Sequence, residues 1–444
     1  MRSAEARAGL PPSPPLPGAL QTWLLWRWPF SFLSALRRRY GTRFTIHALA
    51  RPPLVFLSDL SEAKEVFAAS PELLLPGEGG ATILPIVGER SFMLADGETH
   101  WRGRTMLSPA FSQHAIDEHA ETVRELAERE IAAWPRDVPF PLHDRLRALT
   151  LRVILRALFG RDVEQVPDLY GRLLSMLSLT AGVGLTLPAS RSLPGGRAPW
   201  RRFLADRAAV DAMLLQLVEA RRERPGDQGD ALTTLVAARD AGGRPLSANY
   251  VRDSLMSLIL AGHETTAAEL CWAFQLLAHH PRVQERLAGE LAAGDRDYLT
   301  ATVLEVLRHR PVFLFAVPRT VAAPIAIGGW TYEPPAQLLV CLYLLHHDPD
   351  AFRSPNEFWP ERFLDERPGA SWLPWGGGRK RCPGRRLALL ELETVLAAAV
   401  STVSVHPAGA TPERPRWRSV IVTPHAGSRV VLRDPCGSRR TPAD

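Results

Sequence analysis

The sequence predicts a mainly α chain with small β-sheets (α+β), folded as a single large domain. Three observations carry this. Helical periodicity sets in near Ser61 and holds for most of the 444 residues. The β-rich stretches are short and lie toward the two ends, at residues 43–57, 325–345 and 419–432. No repeat or linker divides the chain, although its length alone would hold about three domains of ~150 residues. At 46% hydrophobic and 23% charged, the composition is that of a globular protein with an ample core.

Taken in order, the first nine residues lack the apolar stretch of a secretory signal. Residues 10–18 are rich in proline and must be stiff and extended. Residues 1–18 therefore read as an N-terminal tail, 19–434 as the domain and 435–444 as a flexible C-terminal tail. The segment 20–36 is apolar and aromatic, with Trp23, Trp26 and Trp28. Arg27 and Pro29 interrupt it, so it is too short and broken to span a bilayer. It is expected to dock on the body of the protein, a peripheral membrane contact being the alternative. The reading is of a monomeric cytoplasmic protein with no transmembrane anchor. Residues 43–57 alternate as a two-strand hairpin around Arg51-Pro52-Pro53. The longest helix runs from Ser247, an N-cap, to His280, where Pro281 stops it. At ~1.5 Å per residue it is roughly 50 Å long, the width of a large domain. Residues 385–400 form a second clear helix.

Several chemistries are excluded. Only Lys64 and Lys380 are lysines, so 51 of the 53 basic residues are arginine, and the formal charge is +6. No basic block with interleaved aromatics is present, so nucleic acid is not an expected partner. Four widely spaced cysteines (Cys271, Cys341, Cys382, Cys436) exclude a disulfide scaffold and a C-x-x-C zinc knuckle. There is no phosphate-binding G-x-x-x-x-G-K-[ST], no strand-borne G-x-G-x-x-G and no G-x-S-x-G. His263-Glu264 begins like H-E-x-x-H, but Ala267 stands where the second histidine belongs.

The most informative segment is Trp375-Gly376-Gly377-Gly378-Arg379-Lys380-Arg381-Cys382-Pro383-Gly384. Its glycines admit positive φ and close approach. Pro383 suits the first position of the following helix. Cys382 is thereby expected at a helix N-terminus among three cations, all of which favour a thiolate. Such a thiolate is either a nucleophile or a soft metal ligand. This loop resembles the heme-ligand signature of the cytochrome P-450 family at all ten positions, with Trp375 for the usual Phe and Lys380 for the usual Arg. The resemblance implies the cytochrome P-450 fold with a buried heme b (iron protoporphyrin IX) and Cys382 as the axial iron ligand. Gly376 and Gly378 would line the heme, and Lys380 would reach a propionate. Lysine offers a point charge where arginine offers a fork, so Arg379 is a possible substitute.

Other segments resemble the family in its order. Ala261-Gly262-His263-Glu264-Thr265-Thr266 lies inside the long, nearly all-apolar helix, where an acid is costly unless used. By resemblance, Thr265 donates to bound dioxygen and Glu264 relays protons. Glu305 and Arg308 form an E-x-x-R pair. With Arg362, from Pro360-Glu361-Arg362-Phe363, they are implied to form a buried structural charge cluster. Glu121/Arg124 and Glu219/Arg222 share that spacing and read as surface pairs. His100 and Arg104 match propionate-binding positions, with Trp101 the alternative for the first. Arg319 matches another, and His346 is a weaker candidate beside a helix-end or surface histidine pair.

Taken together, the resemblance implies a heme-thiolate monooxygenase. It would insert one oxygen atom from dioxygen into a small lipophilic substrate such as a fatty acid, terpenoid, steroid or polyketide. No flavin, iron–sulfur or nicotinamide fingerprint is present, so electrons must come from a ferredoxin or flavodoxin with its reductase. Arg379, Lys380, Arg381, Arg385 and Arg386 would steer that acidic partner. The pocket is implied to draw on residues 79–93, 173–201, 258–265, 312–317 and 420–423. The alternatives are a peroxide-using peroxygenase or isomerase and a non-catalytic heme sensor.

Overall fold

The computed structural model describes residues 7–180, 191, 194–224, 229–365 and 367–434. Its axis is the helix Ala248–His279, in which the Ser247 hydroxyl accepts from the Tyr250 N–H at 3.3 Å. Pro281, the first residue of the next helix, ends it, as the sequence predicts. Twenty-three of its 32 residues are buried. Other helices cover it, among them His143–Phe159, Pro194–Glu223, Asp297–His309 and Arg385–Val400. Gly262 shows how tight the first of these contacts is, because a Cβ there would meet Ile154 Cδ1 at 2.8 Å.

The predicted hairpin forms, with Arg43–Ile46 antiparallel to Leu54–Leu57. It continues into a five-stranded sheet through Gln337–Val340, Arg319–Val321 and Leu74–Leu75. All four residues of both Leu54–Leu57 and Gln337–Val340 are buried, so this part of the sheet is covered on both faces. Smaller sheets join Ser404–Pro407, Arg429–Arg433 and Pro139–Pro141, and pair Pro415–Arg418 with Ile421–Pro424. The stretch 325–345 departs from expectation at its end: Leu342–His346 is helical, not a strand. A short apolar run has no periodicity to separate the two.

Residues 7–18 are tied to the body. Arg7–Ala8 pairs with Trp330 and Thr331. Thr45 donates from its N–H to Pro12 O at 2.8 Å and from its hydroxyl to Pro11 O at 2.9 Å. Residues 1–6 and the predicted tail 435–444 lie outside the described residues. The aromatic segment forms two helices, Gly18–Arg27 and Pro29–Tyr40, which dock through Leu25, Phe30, Phe32, Leu33 and Leu36. Among the described residues, no helix is long and apolar enough to cross a membrane.

Glu305, Arg308 and Arg362 come together in the core. Arg308 forms a fork onto Glu305 at 2.7 and 2.8 Å, and Arg362 Nε approaches Glu305 Oε2 at 3.1 Å. Arg308 also donates to the carbonyls of His346, Pro355 and Glu357. The Trp359 N–H donates to Glu305 Oε1 at 2.8 Å. Glu305 and Arg308 are wholly inaccessible, and these bonds fix the loop that precedes the cysteine segment. By contrast, the Glu121–Arg124 pair is exposed and Glu219–Arg222 partly so.

Breaking the buried fork leaves the Glu305 carboxylate with only Arg362 and the Trp359 N–H, and frees three buried carbonyls of their donor. Arg308→Leu should therefore lower the unfolding free energy by about 3–5 kcal/mol in urea titration. Arg124→Leu should leave the same curve unmoved.

Candidate functional site

The cysteine loop is held from both sides. The Cys382 N–H donates to Trp375 O at 3.0 Å, closing the turn. Gly376 and Gly378 adopt φ of 66° and 64°, which only glycine takes cheaply. Gly377 was not singled out in the sequence, yet a Cβ there would fall inside the Phe67 ring. The loop thus lies flat against the end of the helix Leu60–Ala68. The following helix starts at Arg385 with Gly384 as its cap, so Pro383 precedes it instead of opening it. Cys382 is half-buried. Burial pushes its thiol up, and the Gly384 N–H, Arg104, Arg385 and Arg381 offset this only in part. The N–H groups and cations expected to favour a thiolate are therefore present, and burial opposes them.

Four predicted cation positions converge beside the loop. His100 is 4% exposed while Trp101 is 45% exposed, so the inward residue is His100. Burial, then Lys380, Arg104 and Arg379, push His100 down to about 4. Arg319 is 5% exposed, lies over the Phe67 ring, and is pushed down to about 10 by burial. Lys380 donates to the carbonyls of Met93 at 2.8 Å and Ala95 at 2.7 Å. Burial pushes it down to about 8, with Arg319 and Arg104 adding to the effect and Asp96 opposing it. Arg104 bonds the carbonyl of Arg381. Arg379, the suggested substitute for Lys380, instead lies over the exposed Trp101 ring. Asp96 is the one acid acting on Lys380 and Arg319, and it already accepts from the N–H groups of Gly77 and Glu78.

On the central helix, Ala261 is exposed and Thr265 half-buried, although the turns before and after are closed. The Thr265 hydroxyl donates to Ala261 O at 2.6 Å, the back-bond expected of a helical threonine. Glu264, next to it, points into a different environment. Its Oε1 accepts from Arg147 Nε at 2.6 Å, while Oε2 lies 3.6 Å from Arg418 Nε and 4.0 Å from His143 Nε2. Burial pushes this carboxyl up, but His263, Arg147, Arg418 and His143 outweigh it and hold it below the usual carboxylate range. His263 is fully buried and pushed to about 4, so it is uncharged at neutral pH. The two arginines therefore carry the stabilisation. A cavity of about 50 Å³, lined by His143, Arg418 and Thr423 among others, adjoins the cluster and has room for water.

Arg147, His143 and Arg418 were missed in the sequence. Arg147 carried a signal: it falls on the buried stripe His143, Leu146, Arg147, Thr150 and Ile154 of its helix. A charge on an apolar stripe requires a partner. His346 is not a member of the cation group; it ends the helix Leu342–His346, as the helix-end alternative expects, but it is not at the surface. It is wholly buried, and its Nε2 accepts from the Leu373 N–H at 2.8 Å.

The donor set fits a flat, dianionic metal macrocycle. Cations under-supplied with acid suit two carboxylates, and the Trp375 Nε1 is buried without a partner. The half-buried sulfur suits a soft metal, and the opening at Ala261 and Thr265 leaves one stretch of the central helix uncovered.

Comparison with known proteins agrees with this arrangement. The family model described as Cytochrome P-450 matches residues 10–431. Cytochrome P-450 135B1 of Mycobacterium tuberculosis is 33% identical over 441 residues, covering 97% of this chain and 93% of the relative. Cytochrome P-450 137 of the same organism is 34% identical over 436 residues, covering 96% and 91%. Among solved structures, the retinoic acid-bound cyanobacterial CYP120A1 superposes with a TM-score of 0.82. It is 23% identical and covers 96% of this chain and 99% of its own. The heme domain of cytochrome P-450DA gives the same score and identity over 97% and 98%.

The Glu264 cluster generates a pH test. Its depressed carboxyl contributes stability above the unfolded value of ~4.3, lost only as pH falls through the lower folded value. Arg147→Leu leaves burial less opposed and should raise the folded value. The variant's stability deficit should then be largest near neutral pH and shrink on acidification. Urea titrations of both proteins from pH 7 down to about 3 read this, and a deficit that does not shrink below pH ~4.3 would count against it.

Proposed function

Because this chain belongs to the cytochrome P-450 family of heme-thiolate oxidoreductases, we propose that it is a monooxygenase acting on a lipophilic substrate with electrons from a separate protein. The observation that carries the reading is the group Arg104, Arg319 and Lys380, with the uncharged His100 imidazole among them, gathered beside the Cys382 loop, where Asp96 acts on Lys380 and Arg319 alone among the described residues. These residues would hold the propionates of heme b, and Cys382 would ligate its iron. When bound, that group supplies redox iron whose thiolate ligand favours O–O cleavage.

The chain's own part is positioning and proton supply. Thr265 holds its hydroxyl proton on Ala261 O at 2.6 Å and can turn to donate toward the opening beside it. Glu264 Oε2 has no hydrogen-bond partner, and its separations from Arg418 and His143 suit a bridging water. His143 in turn lies 3.5 Å from the exposed Asp144. Asp144, His143 and Glu264 thus form a polar series from the surface to the residue beside Thr265.

Apolar segments support a lipophilic substrate. Val312 and Leu314 are buried, with Phe313 and Phe315 packed on the core. The retinoic acid named for the cyanobacterial structure is of that class. The implied pocket residues 181–190 and 192–193 lie outside the described ones. Exposed Arg379, Arg381 and Arg386 support an acidic electron donor, whereas Lys380 turns inward and contributes nothing to that face.

Two measurements test this. The reduced protein with carbon monoxide should give a thiolate-type Soret band, lost in Cys382→Ser. With a turned-over substrate and a ferredoxin system, Thr265→Ala should keep consuming reductant while most of it appears as peroxide. Tight coupling in that variant would remove Thr265 from its role. Full turnover with peroxide alone, and none with reductant, would favour the peroxygenase reading.

A further inference from the structure

The docked N-terminal helices leave an apolar, cationic surface that the proposed chemistry does not use. Six of the twelve exposed large hydrophobic residues in the described chain lie between Leu10 and Leu49. Leu20, Trp23 and Trp26 project from the helix Gly18–Arg27, and Trp28 follows it. Trp23 and Trp28 pack edge to face at 4.9 Å, and the Arg27 guanidinium lies 4.9 Å over the Trp28 ring. Leu49, 55% exposed, adjoins them because its N–H donates to Thr22 of the same helix at 2.7 Å. Among the described residues, none of the three indole N–H groups makes a hydrogen bond, so all remain available to an outside acceptor.

The charge is one-sided. From Leu10 to Ser58 the chain has six arginines and no aspartate or glutamate. Arg37 and Arg43 turn inward to Asp348 and Glu62. Arg27, Arg38 and Arg39 form no ion pair among the described residues. Indole rings with free N–H groups prefer the headgroup level of a bilayer, and arginines are drawn to anionic lipid. Exposed indoles on a short helix beside arginines and no acid suit an anionic lipid surface.

We propose that this face, centred on Trp23, Trp28 and Leu49, docks the protein on an anionic phospholipid surface without any spanning segment. Co-sedimentation of the full holoprotein with phosphatidylcholine vesicles, with and without phosphatidylglycerol, tests it. Binding should require phosphatidylglycerol and weaken with salt. Trp23→Ser with Leu49→Ser should weaken it about tenfold. Arg27→Glu with Arg38→Glu should abolish the preference for phosphatidylglycerol while the carbon monoxide band is unchanged. If the first variant misfolds, the charge-reversed one decides. Failure of the intact protein to bind anionic vesicles, or equal binding by a folded variant, overturns the proposal. So does a dimer in light scattering that Trp23→Ser converts to monomer, since a second copy would then cover the face.

Discussion

A helix buried along most of its length forces the rest of the chain to form layers around it, and any charge it carries must be answered by those layers. The helix Ala248–His279 carries three buried acids, each answered differently. Asp253 accepts the Arg90 N–H at 2.9 Å through one oxygen, and its other oxygen lies 2.9 Å from Arg252 Nε as an ion pair without hydrogen-bond geometry. Glu264 takes Arg147 and, farther off, Arg418. Glu269 has no side-chain partner among the described residues; burial pushes its carboxyl well up, and the nearby Val312 N–H opposes this only in part. Arg90, Arg418 and Val312 lie in or beside three of the segments proposed as pocket wall. The acids of one helix therefore position those walls, and a buried carboxyl is costly enough to fix its neighbour.

The region beside the cysteine loop has the complementary problem. There the surplus is positive, and burial has already lowered His100, Lys380 and Arg319 from their ordinary values. The sulfur of Cys382 meanwhile is pushed toward the thiol. The cations need anions and the sulfur needs a cation. A group carrying both, carboxylates at one edge and a metal at its centre, satisfies the two demands together. Neither demand alone would identify it: a cation cluster suits any phosphate, and a half-buried cysteine is usually structural.

What was legible in the sequence follows from how local each cause is. The ends of the central helix could be placed because Ser247 and Pro281 act on adjacent backbone. The helix Arg385–Val400 was placed by its apolar stripe. Cys382 was found because its glycines and cations are contiguous. The misplaced helix Leu342–His346 and the strands Ser404–Pro407 and Pro415–Arg418 have no local pattern and depend on what they meet. The partners of Glu264 lie 117 and 154 positions away in sequence, at Arg147 and Arg418, which no spacing rule reaches. The helix-end place of His346 was legible beside Asp348-Pro349, whereas its burial was not, because it depends on the distant Leu373 N–H that its ring nitrogen accepts.

Lys380 then has a physical reason in a chain that otherwise uses arginine. Its ammonium reaches two carbonyls, of Met93 and Ala95, just ahead of the helix Gly97–Leu107 that carries His100 and Arg104. An ammonium has three donors in a tetrahedral array, so two can tie this loop to the cysteine segment and the third remains. A guanidinium spreads its donors over a planar fork and would splay the two carbonyls apart. Lysine also loses its charge within reach of neutral pH once buried, and here burial has brought it to about 8. An anion placed against the third N–H would hold the charge more firmly. The residue is thus a tether with one donor left for an anion, so that the same ammonium closes the loop and faces the site.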